Sequence, residues 1–176
     1  MTRQAGYSLL ELILTVAIAA TVLALAIPSF GDTLARQRQR VEIDALFRAM
    51  YHAKQASVVR HERVTLCASR DGDRCLDSAD WSVGWMMFEN TDRDSPPQRD
   101  DDEPTLKVHA VHPDVEISSN RRYYTLRSTR RRATNGTLVV CDRTGRVPPR
   151  ALVVSFTGRP RVAAETPRGR PYRCPD

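Results

Sequence analysis

The sequence predicts an α+β fold in which one long N-terminal helix packs on small antiparallel β-sheets. Residues 7–27 are an apolar run of 21 residues, and residues 29–62 continue with helical periodicity. Beyond residue 62 the chain changes to short β-prone segments that are separated by turn residues. Because no helical pattern alternates with these segments, the sequence argues against a parallel sheet of β–α–β units.

The apolar run contains a single charged residue, Glu11. At 1.5 Å per residue, 21 residues form a helix of about 31 Å, which is long enough to cross a bilayer core. A carboxylate is costly inside such a segment, so we treat Glu11 as a functional residue. A cleaved secretory signal, with Ala24-Leu25-Ala26 as its cleavage site, and a simple signal anchor are the alternatives, but neither explains Glu11.

The arginines that follow the apolar run bear on the side of the membrane on which the main domain lies. Arg36, Arg38 and Arg40 lie just past the run, whereas Arg3 alone precedes it. The positive-inside rule would therefore place the main domain in the cytoplasm. The four cysteines favour the opposite side of the membrane, because an even number of cysteines in an exported domain indicates disulfides.

Residues 29–62 are predicted to form an amphipathic half of the helix, which ends between Val59 and Arg63. Its apolar side chains recur at steps of three, four or seven residues, and they are Phe30, Leu34, Val41, Ala45, Ala49, Ala53 and Ala56. We expect this face to pack on the globular domain, residues 63–176.

The globular domain contains seven β-prone segments with turn signals such as Asn135-Gly136 and Thr157-Gly158 between them. The segments are 64–67, 85–88, 105–108, 115–117, 123–126, 137–140 and 152–156. Residues 90–104 read as an acidic loop. Its carboxylates could hold Ca²⁺, but a solvated, mobile loop is the favoured interpretation.

The cysteines lack the spacing of a zinc site and read instead as two disulfides. Three pairings are possible. We favour Cys67 with Cys75 and Cys141 with Cys174, because each cysteine is then joined to its nearest neighbour in sequence. The second bond would tie the C-terminus to the body of the domain.

The charge is distributed unevenly along the chain. Residues 71–120 contain 13 acidic and 4 basic residues, whereas residues 121–176 contain 14 basic and 3 acidic residues. This asymmetry suggests an anionic partner for the last third of the chain. The sequence shows no nucleophile elbow, phosphate-binding loop or HExxH motif, so we expect no catalytic activity, cofactor or metal.

The N-terminus resembles the leader of type IV prepilins and pseudopilins, on the basis of Gly6, Tyr7, Glu11 and Pro28 at their spacing. The family usually has Phe at the position of Tyr7. The resemblance implies that residues 1–6 are a leader, which a prepilin peptidase removes after Gly6, and that Tyr7 is then N-methylated. It implies that residues 7–28 form a transmembrane and assembly helix in the inner membrane. Glu11 would pair with the methylated amine of a neighbouring subunit.

The segment from Val64 to Phe88 is similar to the GspH/FimT domain of minor pilins and pseudopilins. The matching residues are Cys67, Cys75, Trp81, Gly84 and Phe88. This similarity implies a type IV pilin-like α+β fold. It also implies a globular domain that lies first in the periplasm and then on a filament outside the cell.

The basic tail, residues 157–176, resembles that of FimT-type minor pilins, which contain a G-R-x-R motif here. Gly158, Arg159 and Arg161 match the motif, and this resemblance implies that they bind double-stranded DNA. We add Arg168, Arg170 and Arg173 on charge and proximity alone. Pro160 favours an extended Arg159, so that Arg159 and Arg161 would point to one side and contact phosphates without reading sequence. The remaining basic candidates could extend the surface, and they are Arg130, Arg131, Arg132, Arg143, Arg146 and Arg150.

Two functions remain open from sequence. The first is a minor type IV pilin that binds DNA during uptake for natural transformation. The second is a purely structural minor pilin or pseudopilin, which primes a filament or serves type II secretion without binding DNA. The C-terminal arginines discriminate between them, because a priming subunit has no need of such a cluster.

Overall fold

The structure, a computed structural model, describes residues 8–128 and 132–175, with residues 25–29 described by their backbone alone. Gly6, Tyr7, Arg130 and Arg131 lie outside the described residues. The described chain is one long N-terminal helix followed by two four-stranded antiparallel sheets. The predicted α+β fold is therefore confirmed.

Helix α1 spans Leu9–Val59, a single element of 51 residues. Ser8 caps its N-terminus, where the side-chain oxygen accepts a hydrogen bond from the Glu11 amide at 3.3 Å. Large hydrophobic side chains at the described positions from Leu9 to Phe30 are 53–77% exposed, so this part of α1 projects from the globular domain. In the described part of the chain, no helix is both long and apolar enough to span a lipid bilayer.

The face of α1 that packs on the sheets differs from the predicted one. Ala45, Ala49 and Ala53 are buried as expected. However, Phe30, Leu34 and Val41 are exposed, and the larger side chains on the packed face are Ile43, Leu46 and Met50. The prediction of one apolar stripe from Phe30 to Ala56 was therefore wrong for Phe30, Leu34 and Val41.

The first sheet has the strand order β3-β2-β1-β5, with every pair antiparallel. Its strands are β1 (Arg63–Ala68), β2 (Trp85–Asn90), β3 (Thr105–His109) and β5 (Tyr123–Leu126). The second sheet has the order β4-β6-β7-β8 and is also antiparallel. Its strands are β4 (Val115–Ser119), β6 (Gly136–Asp142), β7 (Arg150–Val154) and β8 (Pro160–Ala163).

Strand β8 was not among the β-prone segments, because it lies within the stretch interpreted as a basic tail. It pairs with β7 along its whole length, from Val154 opposite Pro160 to Ala151 opposite Ala163. Proline has no N–H group to donate to a neighbouring strand, but it is tolerated at the first position of an edge strand. The tail therefore begins as a strand at the edge of the second sheet.

One hydrophobic core joins α1 to both sheets. Trp81 is fully buried in this core and packs edge-on against Tyr124, with ring centroids 5.7 Å apart. The Trp81 indole N–H donates to the Arg121 carbonyl at 3.3 Å. Leu46 and Leu152 bring the helix and the second sheet into the same cluster.

Both disulfides have the pairing that the sequence favoured. Cys67 is bonded to Cys75 with the Cα atoms 5.5 Å apart. Cys141 is bonded to Cys174, at a sequence separation of 33, with the Cα atoms 5.9 Å apart. The second bond attaches the C-terminal end of the chain to strand β6.

The acidic loop is organised around one buried carboxylate rather than being fully solvated. Glu103 is 2% exposed and accepts hydrogen bonds from the backbone amides of Thr91, at 2.6 Å, and Asp100, at 3.3 Å. Asp94 accepts from the Asn90 side chain at 2.6 Å. Among the described residues, no group of three or more His, Cys, Asp or Glu side chains could hold a metal ion.

Candidate nucleic-acid interface

Gly158 shapes the turn between β7 and β8. Its φ angle is +79°, in the left-handed region that favours glycine, and its amide donates to the Ser155 carbonyl at 2.9 Å. A Cβ at this position would lie 2.9 Å from Leu126 Cδ1 and 3.2 Å from Lys54 Cδ. The backbone conformation therefore favours glycine here, and a larger residue would also have to displace the Leu126 side chain.

Ser155 fixes the backbone of Arg159, the residue that follows Gly158, through two hydrogen bonds. The Arg159 amide donates to the Ser155 hydroxyl at 3.2 Å, and the Ser155 amide donates to the Arg159 carbonyl at 3.1 Å. The Ser155 and Thr157 hydroxyls are 2.8 Å apart. The backbone of Arg159 is thus fixed on both sides, which lowers the ordering cost of any contact that its side chain makes.

Strand β8 places Arg161 on the outer face of the second sheet. Val162 pairs with the fully buried Leu152 and lies on the helix side, whereas Arg161 pairs with Val153 on the opposite face. Arg159 precedes Arg161 by two positions, and side chains alternate with period two along an extended segment. Arg159 and Arg161 are both exposed, as the predicted phosphate contacts require.

The rest of the tail forms a small hairpin that ends at the disulfide. The Thr166 amide donates to the Arg170 carbonyl at 2.8 Å, and Gly169, with φ +69°, donates back to Thr166 at 2.9 Å. Arg168 lies within this turn. Arg168, Arg170 and Arg173 are exposed.

The five arginines form an elongated surface rather than a compact patch. Pro160 lies level with Gly136 across the sheet, and Cys141 lies five residues further along β6. At about 3.3 Å per residue, the β7–β8 turn and the tail disulfide are separated by about 17 Å along the strands. We call this surface the arginine stripe, and its members are Arg159, Arg161, Arg168, Arg170 and Arg173.

Several arginines of the domain are paired with carboxylates, whereas, among the residues that the structure describes, the arginines of the stripe are not. Arg38, Arg60, Arg99 and Arg122 each lie within ion-pair distance of a carboxylate. Within residues 8–128 and 132–175, none of the stripe arginines has such a partner. Their charge is therefore uncompensated by close carboxylates and available to an anionic ligand.

Phe156 and Arg132 lie beside the stripe at the β7–β8 turn. Phe156 is 59% exposed, and the guanidinium carbon of Arg132 lies 5.9 Å from the centre of its ring. The Ala133 amide donates to the Phe156 carbonyl at 2.9 Å, which fixes Arg132 beside the turn. The sequence interpretation treated Phe156 as the last residue of a strand and so missed it as a surface aromatic.

Two of the other basic candidates, Arg146 and Arg150, lie beside α1. The Arg146 guanidinium packs against Gly31, and its Nη1 atom is 3.9 Å from Asp32. Arg150 lines a groove with Arg36 and Arg40 of α1. Arg146 and Arg150 therefore lie beside residues 31–40 of α1 and not beside the turn that contains Gly158.

Glu11 lies exposed in the first turn of α1, on the projecting part of the helix. Within the described chain its carboxylate has no ion-pair partner. The amine with which it is expected to pair belongs to a processed Tyr7, which lies outside the described residues. That pairing stays a prediction.

Comparison with known proteins agrees with this architecture. The family model for the type II transport protein GspH matches residues 42–158, and the prokaryotic N-terminal methylation motif matches residues 1–27. The chain is therefore a member of the GspH family with the N-terminal methylation motif. A comparison with curated protein sequences finds no match.

Two solved structures share the fold. The type IV minor pilin FimU of Pseudomonas aeruginosa is 16% identical, with a TM-score of 0.55 over 73% of this chain and 90% of FimU. The minor pseudopilin EpsH of the Vibrio cholerae type 2 secretion system is 8% identical, with a TM-score of 0.50 over 72% of this chain and 96% of EpsH. At these identities the likeness establishes the type IV pilin-like fold alone.

Proposed function

We propose that this chain is a membrane-anchored minor pilin that binds double-stranded DNA through the arginine stripe during DNA uptake for natural transformation. The observation that carries the proposal is the stripe itself. Five exposed guanidinium groups without close carboxylates lie on a paired edge strand and a disulfide-closed tail. Guanidinium groups suit phosphate oxygens because their planar fork of donors can bind two of them at once.

The mode of binding follows from the kind of residues in the stripe. Phosphate contacts position a protein on the duplex but carry no sequence information. If the five guanidinium groups bind mainly to phosphates, the affinity should be similar for all sequences and strongly dependent on salt. The proposal assigns binding and assembly to this chain, without catalysis.

The N-terminal part of the proposal concerns processing and anchoring. A prepilin peptidase cleaves after Gly6, and the new N-terminal Tyr7 is methylated. The match of residues 1–27 to the methylation motif supports this step. The apolar run then anchors the subunit in the inner membrane with its sheets in the periplasm. On assembly, Glu11 neutralises the amine of an adjacent subunit, which removes an unpaired charge from apolar surroundings.

The test is a DNA titration of the full chain in detergent micelles at several salt concentrations. The logarithm of the binding constant should fall with log salt by about 0.9 per phosphate neutralised. The double variant R159Q/R161Q should weaken binding to all duplexes alike and flatten the slope by about 2. The variant R70Q/R74Q is the matched control, because it removes two exposed arginines outside the stripe that also have no ion-pair partner among the described residues. Equal losses in the two variants would contradict the proposal.

A purely structural role is the second candidate. The family to which the chain belongs is described as a type II transport protein, and EpsH is a minor pseudopilin of a secretion system. Under this candidate the subunit assembles with other pilins and does not bind DNA. Weak DNA binding that R159Q/R161Q leaves unchanged would favour it.

A further inference from the structure

A polar pocket lies where α1 ends and β1 begins. Its cavity volume is about 210 Å³, several times the ~30 Å³ that one water molecule occupies in the liquid. The lining residues are His61, Glu62, Arg63, Arg93, Arg127 and Ser128. His61 and Arg93 both have left-handed backbone conformations, with φ angles of 59° and 67°.

The pocket is basic. Three guanidinium groups and one imidazole line it together with one carboxylate. The Arg93 Nη2 atom is 3.8 Å from Glu62 Oε2, and the Arg63 Nη1 atom donates to the Arg93 carbonyl at 2.9 Å. The positive charge therefore exceeds the negative charge, which favours an anion.

Among the described residues, two buried atoms of this lining lack a hydrogen-bond partner. One is a donor, Arg127 Nε, and the other is an acceptor, Glu62 Oε2. A buried polar atom without a partner is unfavourable, so a ligand that pairs with both atoms would recover that free energy. Because both atoms are shielded from solvent, a ligand could pair with them only after the two side chains rotate towards the cavity.

We propose that the pocket binds a protonated phosphate group. Its negative oxygens accept hydrogen bonds from Arg127 and the neighbouring guanidinium groups, as phosphates do from arginines elsewhere. Its P–OH group donates a hydrogen bond to the Glu62 carboxylate. Sulfate has similar size and shape but carries no proton near neutral pH, so it would place an oxygen with no donor against Glu62. The pocket should therefore prefer phosphate to sulfate.

The pocket adjoins the turn of the arginine stripe. Lys54 Nζ donates to the Arg127 carbonyl at 2.6 Å, and Lys54 Cδ and Leu126 Cδ1 both lie against Gly158. A phosphate group can reach this position from two sources, a free phosphate ion or the terminal phosphate of a DNA strand. The second source rests on the proposed function, whereas the first does not.

The first experiment measures binding of inorganic phosphate and of sulfate to the full chain by isothermal titration calorimetry at pH 6 and matched ionic strength. Wild-type protein should bind phosphate at least about tenfold more tightly than sulfate, since hydrogen bonds to charged groups contribute that much. Arg127→Gln should weaken phosphate binding about tenfold. Glu62→Gln offers the ligand an N–H donor as well as an acceptor, so it should bring the two anions to within about twofold.

The control is Arg122→Gln, which removes an arginine that pairs with Asp77 and does not line the pocket. Equal binding of phosphate and sulfate by wild-type protein would overturn the proposal. So would equal losses in Arg127→Gln and Arg122→Gln. If Arg127→Gln fails to fold by circular dichroism, Arg93→Gln replaces it, because the Arg93 side chain is half-exposed.

The second experiment identifies the source with two duplexes of one sequence, one 5′-phosphorylated and one with 5′-hydroxyl ends. At pH 6, near the second pKa of a phosphate monoester, about half of the terminal groups keep their proton. A preference for the phosphorylated duplex that Arg127→Gln abolishes supports capture of DNA ends. Equal affinity for the duplexes, with phosphate binding intact, supports the free ion. R159Q/R161Q should weaken the binding of both duplexes equally, whereas Arg127→Gln should affect only the phosphorylated one. The two variants therefore distinguish a failure of the proposed DNA binding by the stripe from a failure of the proposed phosphate binding by the pocket.

Discussion

Replacing Gly158 by alanine separates two physical reasons for a glycine in the β7–β8 turn. The left-handed φ of +79° should cost an alanine about 1–2 kcal/mol. The added Cβ would also lie 2.9 Å from Leu126 Cδ1, and overpacking of this kind costs about 1–3 kcal/mol. The sum is a destabilisation of about 2–5 kcal/mol.

Gly145 and Gly169 are matched controls for this substitution. Their φ angles are +68° and +69°, but a Cβ at either position would meet no atom within 4 Å. Gly145→Ala and Gly169→Ala should therefore show the conformational cost alone, about 1–2 kcal/mol. The difference between Gly158→Ala and these variants isolates the steric cost.

Urea unfolding of the three variants measures their free energies of unfolding. An unchanged m-value would show that the same cooperative unit unfolds in each variant. A DNA titration adds a second result, because the turn also positions Arg159. Gly158→Ala removes no charge, so it should lower DNA affinity several-fold while the salt slope changes by less than about 1. Equal destabilisation by Gly158→Ala and Gly145→Ala would refute the packing argument.

Three further predictions concern other parts of the chain. The double variant C141A/C174A should lower the free energy of unfolding by about 3–4 kcal/mol in urea, because the bond closes a loop at a sequence separation of 33; a loss below about 1 kcal/mol would contradict the chain-entropy argument. Burial raises the pKa of Tyr124 to about 12 from 10.0, so its contribution to stability is present below pH 10 and disappears as the pH rises from about 10 to about 12. Ultraviolet titration should therefore show a late phenolate component that Tyr124→Phe removes, and ionisation of Tyr124 below pH 10 in folded protein would refute this. Mass spectrometry of the processed protein should find Tyr7 as a methylated N-terminal residue, and a mature chain that begins anywhere else would contradict cleavage after Gly6.

Much of the fold could be predicted because its signals are local. The disulfide pairing followed from sequence separation alone, and each β-prone segment was bounded by turn residues. The packed face of α1 was predicted less well. The spacing of apolar residues does not reveal that Ile43, Leu46 and Met50 are buried while Phe30, Leu34 and Val41 are exposed, since that depends on where the sheets touch the helix.

The candidate site was predicted only in part, because it also depends on contacts between segments that are distant in sequence. The G-R-x-R segment was recognised as extended, but its pairing with β7 depends on a register that the residues 158–161 do not encode by themselves. The contact between Arg132 and Phe156 and the pocket at Arg127 join segments that are distant in sequence. Only the arrangement of the strands brings them together.

The dimensions of the arginine stripe set a limit on the salt dependence of DNA binding. A duplex presents about one charge per 1.7 Å of its axis, so the stripe's length of about 17 Å faces about ten phosphates, counting both strands. Five guanidinium groups can neutralise at most about five of them, which corresponds to a slope of about −4.5 for wild-type protein. The R159Q/R161Q variant should then retain about −2.7. A wild-type slope much steeper than −4.5 would require contacts outside the stripe, and Arg132 beside the β7–β8 turn would then be the first residue to mutate, before the groove formed by Arg36, Arg40 and Arg150.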